Sequence, residues 1–402
     1  MKNITIQLTA LVVLLFAQQA TFAQNPGDQD LDFGIGGYAM TDLIANTSEI
    51  YVDMITLSDD KIVLVGYTDT GDQNILLARF LADGSVDTDF GINGYTEIDL
   101  SIGMNEEGWA VKELSDGKLL VTGITVANGS WDGFIMRLTE DGMIDDSFGT
   151  SSPGHTKFNA GDETIALGTA IEVLSDNSIL VAGSALFSTQ SDMCVWKFSQ
   201  GGAAVPAFAT DGVAVVDIDG GDDEAFAMTL TSNEQILLCG ISDLAGVQRG
   251  AIVKLSSFGT PTTFGNGSGA ALFALDTDFN EINDIAIDSE NRIVGVGSRG
   301  NAPNIDGLVV RLDADGQLDT SFSGDGIQES DPGMSVTMHL MNVFITADDG
   351  VLATGFTANP TADASYAFLM KEDGSPDADF SGNGDVSVPF SIETNTINGR
   401  CS

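Results

Sequence analysis

A phenylalanine returns at Phe33, Phe90, Phe148, Phe208, Phe264, Phe322 and Phe380, at spacings of 57, 58, 60, 56, 58 and 58 residues. No other feature limits so strongly what this chain can fold into. A period of that length belongs to repeat architectures, in which each unit buries its apolar faces on its neighbours. A full copy of the surrounding phrase reads Asp83-Gly84-Ser-Val-Asp87-Thr-Asp-Phe90-Gly91-Ile-Asn-Gly94. Length alone, 402 residues, suggests two or three domains. Units that stack side by side form one object, so residues 24–402 are expected to be a single domain.

Between the phrases lies a fixed grammar. A short run follows each phrase, then a polar loop, a second run, a tight turn, a third run, a variable loop and a fourth run. The runs are four to eight residues long, apolar or alternating, and bounded by Gly, Asp, Asn and Ser. That is the pattern of strands and turns. The turn between the second and third runs falls at Asp59-Asp60, Asp116-Gly117, Asp176-Asn177, Asn233-Glu234, Glu290-Asn291 and Asp348-Asp349. All are residues that accept turn geometry. A glycine closes the third run six times, at Gly66, Gly123, Gly183, Gly240, Gly297 and Gly355. It is expected where crowding or a positive φ excludes a side chain. Four short strands per unit point to an all-β fold, a β-propeller with blades of about 58 residues. Six copies of the three-strand middle favour six blades. Seven copies of the phrase leave seven, the last incomplete, as the alternative.

The Asp-Gly-x-x-Asp-x-x-Phe-x-x-x-Gly phrase, followed by Leu114-Ser-Asp-Gly-Lys-Leu-Leu-Val-Thr-Gly123, resembles the bacterial delta-60 repeat. The resemblance covers nearly all of residues 24–402 and implies an exported bacterial protein with propeller-like repeats. It implies no activity. Two copies depart from it, with Gln200-Gly201-Gly202 and Ser257-Phe258-Gly259 in place of the Asp-Gly.

Residues 1–23 read as a signal peptide. Lys2 supplies the charged start, residues 8–17 the apolar run, and Thr21-Phe22-Ala23 a small-x-small cleavage site before Gln24. The protein is therefore expected to be secreted or on the cell surface, with the periplasm as a further option, without membrane insertion and as a monomer. Net charge is -44, from 59 acidic and 15 basic residues. Nucleic acid, which needs a basic footprint, is excluded as a partner. An unknown protein or glycan is the expected partner. Cys194 and Cys239 sit in apolar runs and read as buried thiols, with a bridge between them as the alternative.

Repeated polar residues read first as scaffold. The acid pairs Asp83/Asp87, Asp141/Asp145, Asp315/Asp319 and Asp373/Asp377 lack the distal Glu of an EF-hand loop and suit turn formation. Arg79, Arg137, Lys197, Lys254 and Arg311 share one repeat position and are expected to pin the acidic link. Function is sought where the copies differ. At the start of the second run they read Ile50, Glu107, Leu167, Glu224, Glu281 and His339. If that run is innermost, Glu107, Glu224, Glu281 and His339 ring the channel mouth, where a cation such as calcium or a polar ligand could bind. The bland alternative is a set of solvated acids. The variable loops are expected to share one face, where Trp131, Phe187, Arg249 and Arg299 are candidate binding residues. Motifs for a nucleophile, zinc or a phosphate loop are absent, so no catalytic, cofactor or metal residue is assigned. A polysaccharide hydrolase or lyase using the axial carboxylates, and a cation-stabilised structural protein, are the alternatives to a binding or scaffold module.

Overall fold

In the computed structural model, the chain is described over residues 26–390 and 400–401, apart from 40–42, 45–46, 70, 101–103, 128, 152–153, 161–164, 189, 266, 276–278, 302–303, 332, 334–335 and 359–362. The signal-peptide expectation lies outside the described residues. Each repeat forms a four-stranded antiparallel sheet. Blade 1 is β1 (Ser48–Thr56), β2 (Ile62–Asp69), β3 (Ile75–Phe80) and β4 (Tyr95–Ile98). Blade 2 is β5 (Asn105–Glu113), β6 (Leu119–Ala127), β7 (Ser130–Leu138) and β8 (His155–Phe158). Blade 3 is β9 (Ala166–Val173), β10 (Ile179–Phe187), β11 (Gln190–Phe198) and β12 (Val213–Val216). Blade 4 is β13 (Asp222–Leu230), β14 (Ile236–Leu244), β15 (Val247–Leu255) and β16 (Ala270–Phe273). Blade 5 is β17 (Phe279–Ile287), β18 (Ile293–Asn301), β19 (Asn304–Leu312) and β20 (Ile327–Ser330). Blade 6 is β21 (Thr337–Ile345), β22 (Val351–Ala358), β23 (Asp363–Met370) and β24 (Asp385–Phe390).

The second run of every repeat is thus the innermost strand, and the short run after the phrase the outermost. The turn residues Asp60, Asn177, Glu234, Asn291 and Asp349 have φ of 59–67° and Gly117 has 80°, the left-handed region in which such residues are tolerated best. Apolar side chains of facing blades fill the spaces between them. Val63, Val65 and Leu77 of blade 1 meet Val121, Phe134 and Met136 of blade 2. The same arrangement recurs from blade to blade. Each space takes one link phenylalanine: Phe90, Phe148, Phe208, Phe264 and Phe322, all 3% exposed or less.

The links form a ring of their own. The N–H after each phenylalanine donates to the carbonyl seven or so residues before the next one: Gly34 to Asp83, Gly91 to Asp141, Gly149 to Gly201, Ala209 to Phe258, Gly265 to Asp315 and Ser323 to Asp373. The seventh bond, Ser381 to Pro26 at 2.8 Å, closes the circle. Pro26-Gly27 therefore occupies the Asp-Gly place of the first phrase. The glycine of that pair stacks on the preceding phenylalanine. A Cβ on Gly142 would come within 2.6 Å of the Phe90 ring, and one on Gly316 within 2.7 Å of Phe264. Six complete blades thus stand in a ring with seven link positions. The seventh holds the first phrase, whose Phe33 packs on Tyr51, Met54 and Leu76 of blade 1. β25 (Arg400–Cys401) adds a fifth strand to the sheet of blade 1, pairing in parallel with β1.

The recurring basic residue pins the links of blades 1, 2 and 5. Arg79, Arg137 and Arg311 donate through Nε to Asp87, Asp145 and Asp319 at 2.8, 2.9 and 2.8 Å. Their Nη1 atoms reach the next link at the carbonyls of Glu140, Gln200 and Glu372. Their guanidinium groups lie over Phe90, Phe148 and Phe322, 4.6–4.8 Å from the ring centres. Lys197 and Lys254 cover Phe208 and Phe264 in the same way. The acids of the phrase are turn formers: Asp83, Asp145, Asp319 and Asp373 each accept from the N–H and hydroxyl of the serine two residues on. Cys194 and Cys239 are buried thiols in the spaces of blades 2–3 and 4–5.

Candidate functional site

The six recurring glycines build the axial face. Each innermost strand carries a β-bulge just past its start, and the glycine faces it across the ladder. None of the six has a positive φ. Backbone crowding excludes the side chain instead. A Cβ at Gly66, Gly123, Gly183, Gly240, Gly297 or Gly355 would lie 1.8–2.0 Å from the carbonyl oxygen of Ile50, Glu107, Leu167, Glu224, Glu281 or His339. These are the six residues of the axial position. The bulge adds one residue beside each of them: Val52, Trp109, Thr169, Phe226, Asn283 and Met341. The scaffold is thus identical in every blade, and the side chains it presents differ.

On blades 5 and 6, Glu281 and His339 meet at 3.2 Å, from Oε1 to Nδ1. Ser298 Oγ lies 3.0 Å from the same Nδ1, and Asn283 Nδ2 donates to Glu281 Oε1 at 3.0 Å and to the Leu340 carbonyl. Phe356 stacks on the imidazole and Phe279 meets it edge-on. Burial pushes the Glu281 carboxyl up, but the bond and charge from His339, with Asn283 and Ser298, outweigh it and hold it below the usual range. Glu107, on blade 2, accepts from Trp109 Nε1 at 2.8 Å. Burial raises its pKa. Burial and Glu107 together push the Tyr67 phenol up to about 12. Glu224, on blade 4, is raised by burial and by Asp222. Asn283, Trp109 and Tyr67 were not singled out from the sequence. The signal was available: each lies one or two residues from the axial position or its glycine.

The loops before the innermost strands and those between the second and third strands lie at the same end of the blades as Glu107, Glu224, Glu281 and His339. The four candidate loop residues stand there on four successive blades. Trp131 is 41% exposed. Phe187 is half-buried and packs on the core between blades 2 and 3. Arg249 pairs with Asp219 at 3.1 Å, and Arg299 pairs with Glu329.

One step before the axial position sits a second polar set, which turns inward between blades. Glu49, Glu106, Asp223 and Asn280 accept from backbone N–H groups of the loop that leads into their strand. Glu106 is fully buried, and its Oε2 has no hydrogen-bond partner among the described residues. Burial, and then Asp99, push its carboxyl up to about 7. The folded state therefore holds a proton on Glu106 that the unfolded chain has lost above about pH 4.5. This contribution to stability is full below that value and is lost as pH rises through 7. Thermal melts from pH 4 to pH 8 should show Glu106→Gln gaining on the native protein as pH rises. A parallel pH dependence in the two would refute the assignment.

The family comparison agrees with this architecture. A family described as "Domain of unknown function (DUF5122) beta-propeller" matches residues 57–90, 114–148 and 289–322. These spans run from the innermost turn to the link phenylalanine of blades 1, 2 and 5. No curated protein matches the chain. Similar solved structures include a PL25 polysaccharide lyase, ulvan lyase, at 11% identity and TM-score 0.46, covering 84% of this chain and 80% of that one. The PQQ-bound aldose sugar dehydrogenase of Streptomyces coelicolor is similar at 12% identity and TM-score 0.43, over 86% of this chain and 96% of that one. The endo-arabinase of Bacteroides thetaiotaomicron is similar at 9% and 0.36, over 88% and 97%. No helix among the described residues is long and apolar enough to cross a membrane.

Proposed function

We propose that the protein is an exported propeller of the delta-60 type that acts as a binding module, taking a polar ligand at the axial mouth. One observation carries this reading. A backbone repeated in all six blades presents a set of side chains that does not repeat, with Tyr67, Glu107, Trp109, Glu224, Phe226, Glu281 and His339 half-buried at one end. Carboxylates and an imidazole beside aromatic faces suit the hydroxyls and apolar faces of sugars. Axial carboxylates on a chain of net charge -44 disfavour polyanions. A neutral or amino-sugar glycan is therefore the ligand class, with a protein loop of similar chemistry as the other candidate.

A glycan array followed by calorimetry tests this. Glu281→Gln and Trp109→Ala should each weaken binding about tenfold or more, as for loss of a charged hydrogen bond or an aromatic contact. Unchanged affinity in both would remove the axial mouth as the site. The Glu281–His339 pair also supports a second reading, a polysaccharide hydrolase or lyase with the pair moving the proton. Turnover on a bound sugar that Glu281→Gln abolishes without loss of binding would establish that reading in place of the first.

A further inference from the structure

We propose that Asp192, Asp217 and Asp223 form a calcium-binding site at the junction of blades 3 and 4. The three come from separate places in the chain: β11, the residue after β12, and the buried polar position of β13. One carboxylate oxygen from each lies within 4.8 Å of the others, and no other such group of three occurs among the described residues. Oxygens bound to one calcium at about 2.3–2.6 Å can be up to about 5 Å apart, so the three fit a single coordination sphere.

A cluster of acids is not in itself a site on so acidic a chain. The second observation is Asp223. Its residue is 0% exposed, its Oδ2 accepts from the Ile218 N–H, and its Oδ1 is buried with no hydrogen bond within 3.5 Å among the described residues. A buried carboxylate oxygen left without a donor is costly unless a proton or a cation meets it, and here two further carboxylates, Asp192 and Asp217, stand within reach of the same ion. The equivalent residue of blade 5, Asn280, solves the problem differently: its amide donates to the Gln248 carbonyl. Arg249, whose side chain bonds Ser242 across the ladder from Asp223, does not pair with it. It turns to Asp219 and to Ser242 Oγ, at 3.1 and 2.8 Å.

The site is particular to this junction. The equivalent positions read Asn74, Asp99 and Glu106 between blades 1 and 2, and Arg249, Ala274 and Asn280 between blades 4 and 5. Asp217 is exposed, so an ion can reach the site from solvent and keep water ligands. All-oxygen, carboxylate-rich ligation that leaves room for water favours calcium over softer metals.

The test is calcium titration of the full chain by calorimetry, with melting in calcium against chelator. The native protein should bind calcium and melt about 3 °C higher at 100 times the Kd. Asp217→Asn, at an exposed position, should fold normally, lose at least about tenfold in affinity and lose most of the shift. Asp192→Asn should behave the same way. No binding by the native protein at millimolar calcium would overturn the proposal. So would a shift of equal size in both variants, which would place the ion elsewhere.

Discussion

Gly297→Ala is expected to destabilise the protein by about 3 kcal/mol or to prevent folding. The added Cβ would stand 2.0 Å from the Glu281 carbonyl oxygen and 2.8 Å from its carbon. Both are backbone atoms of the innermost strand, and no rotamer change can move them. Relief requires the bulge on β17 to open. That would displace Asn283 and separate Glu281 from His339, so any folded fraction should also lose ligand. Gly201→Ala is the control, since its nearest neighbour to a Cβ is Ser199 Oγ at 3.9 Å. It should melt with the native protein. Urea denaturation measures both, and a cost below about 1 kcal/mol for Gly297→Ala would mean that the crowding is not what selects the glycine.

Arg311→Leu is expected to cost about 3 kcal/mol, the low end of the range for breaking a buried ion pair, because Asp319 is only half-buried. Arg311 is 1% exposed and lies over Phe322. It donates to Asp319 Oδ2 at 2.8 Å, to Ser321 Oγ at 3.0 Å and to the carbonyl of Glu372 in the next link. Truncation takes the arginine donor from Asp319 Oδ2 and from that carbonyl, and removes the cover from the ring. Adding Asp319→Asn should recover part of the loss, because the uncompensated charge goes with it. The natural comparison is blade 6, where Leu369 stands at the arginine position and, among the described residues, the one cation paired with Asp377 is Lys371 at 3.9 Å. If Arg311→Leu proves as mild as a surface substitution, the clamp is ornamental and blade 6 is the rule.

Most of the scaffold could be read before folding, and the reason is redundancy. A glycine met once is ambiguous. Met six times at the same distance from a turn, it marks one backbone demand. The same holds for the link phenylalanines, for the arginines that cover them and for the turn-forming acids. The axial position was legible too, because reading the copies against one another isolates the place where they differ.

What that reading could not supply are relations between copies. Whether Glu281 touches His339, 58 residues away, depends on blade spacing and on the bulge that aims both side chains. Their side chains meet across adjacent blades, while Glu107 turns to its own neighbour Trp109 instead. Asp192, Asp217 and Asp223 look like ordinary strand-end and loop acids in a chain with 59 of them. Only the packing of blade 3 on blade 4 brings their oxygens together and seals Asp223 from water.

By itself the sequence determined the repeat, the four-stranded blade, the order of its strands and the residues that link one blade to the next. Those depend on local periodicity and turn chemistry, which act within one repeat. The tertiary structure alone decided that seven links close into a ring around six complete blades, and which polar side chains of neighbouring blades converge. Closure and convergence are set by the angle at which one packed blade meets the next, and that angle is a property of the filled space between them.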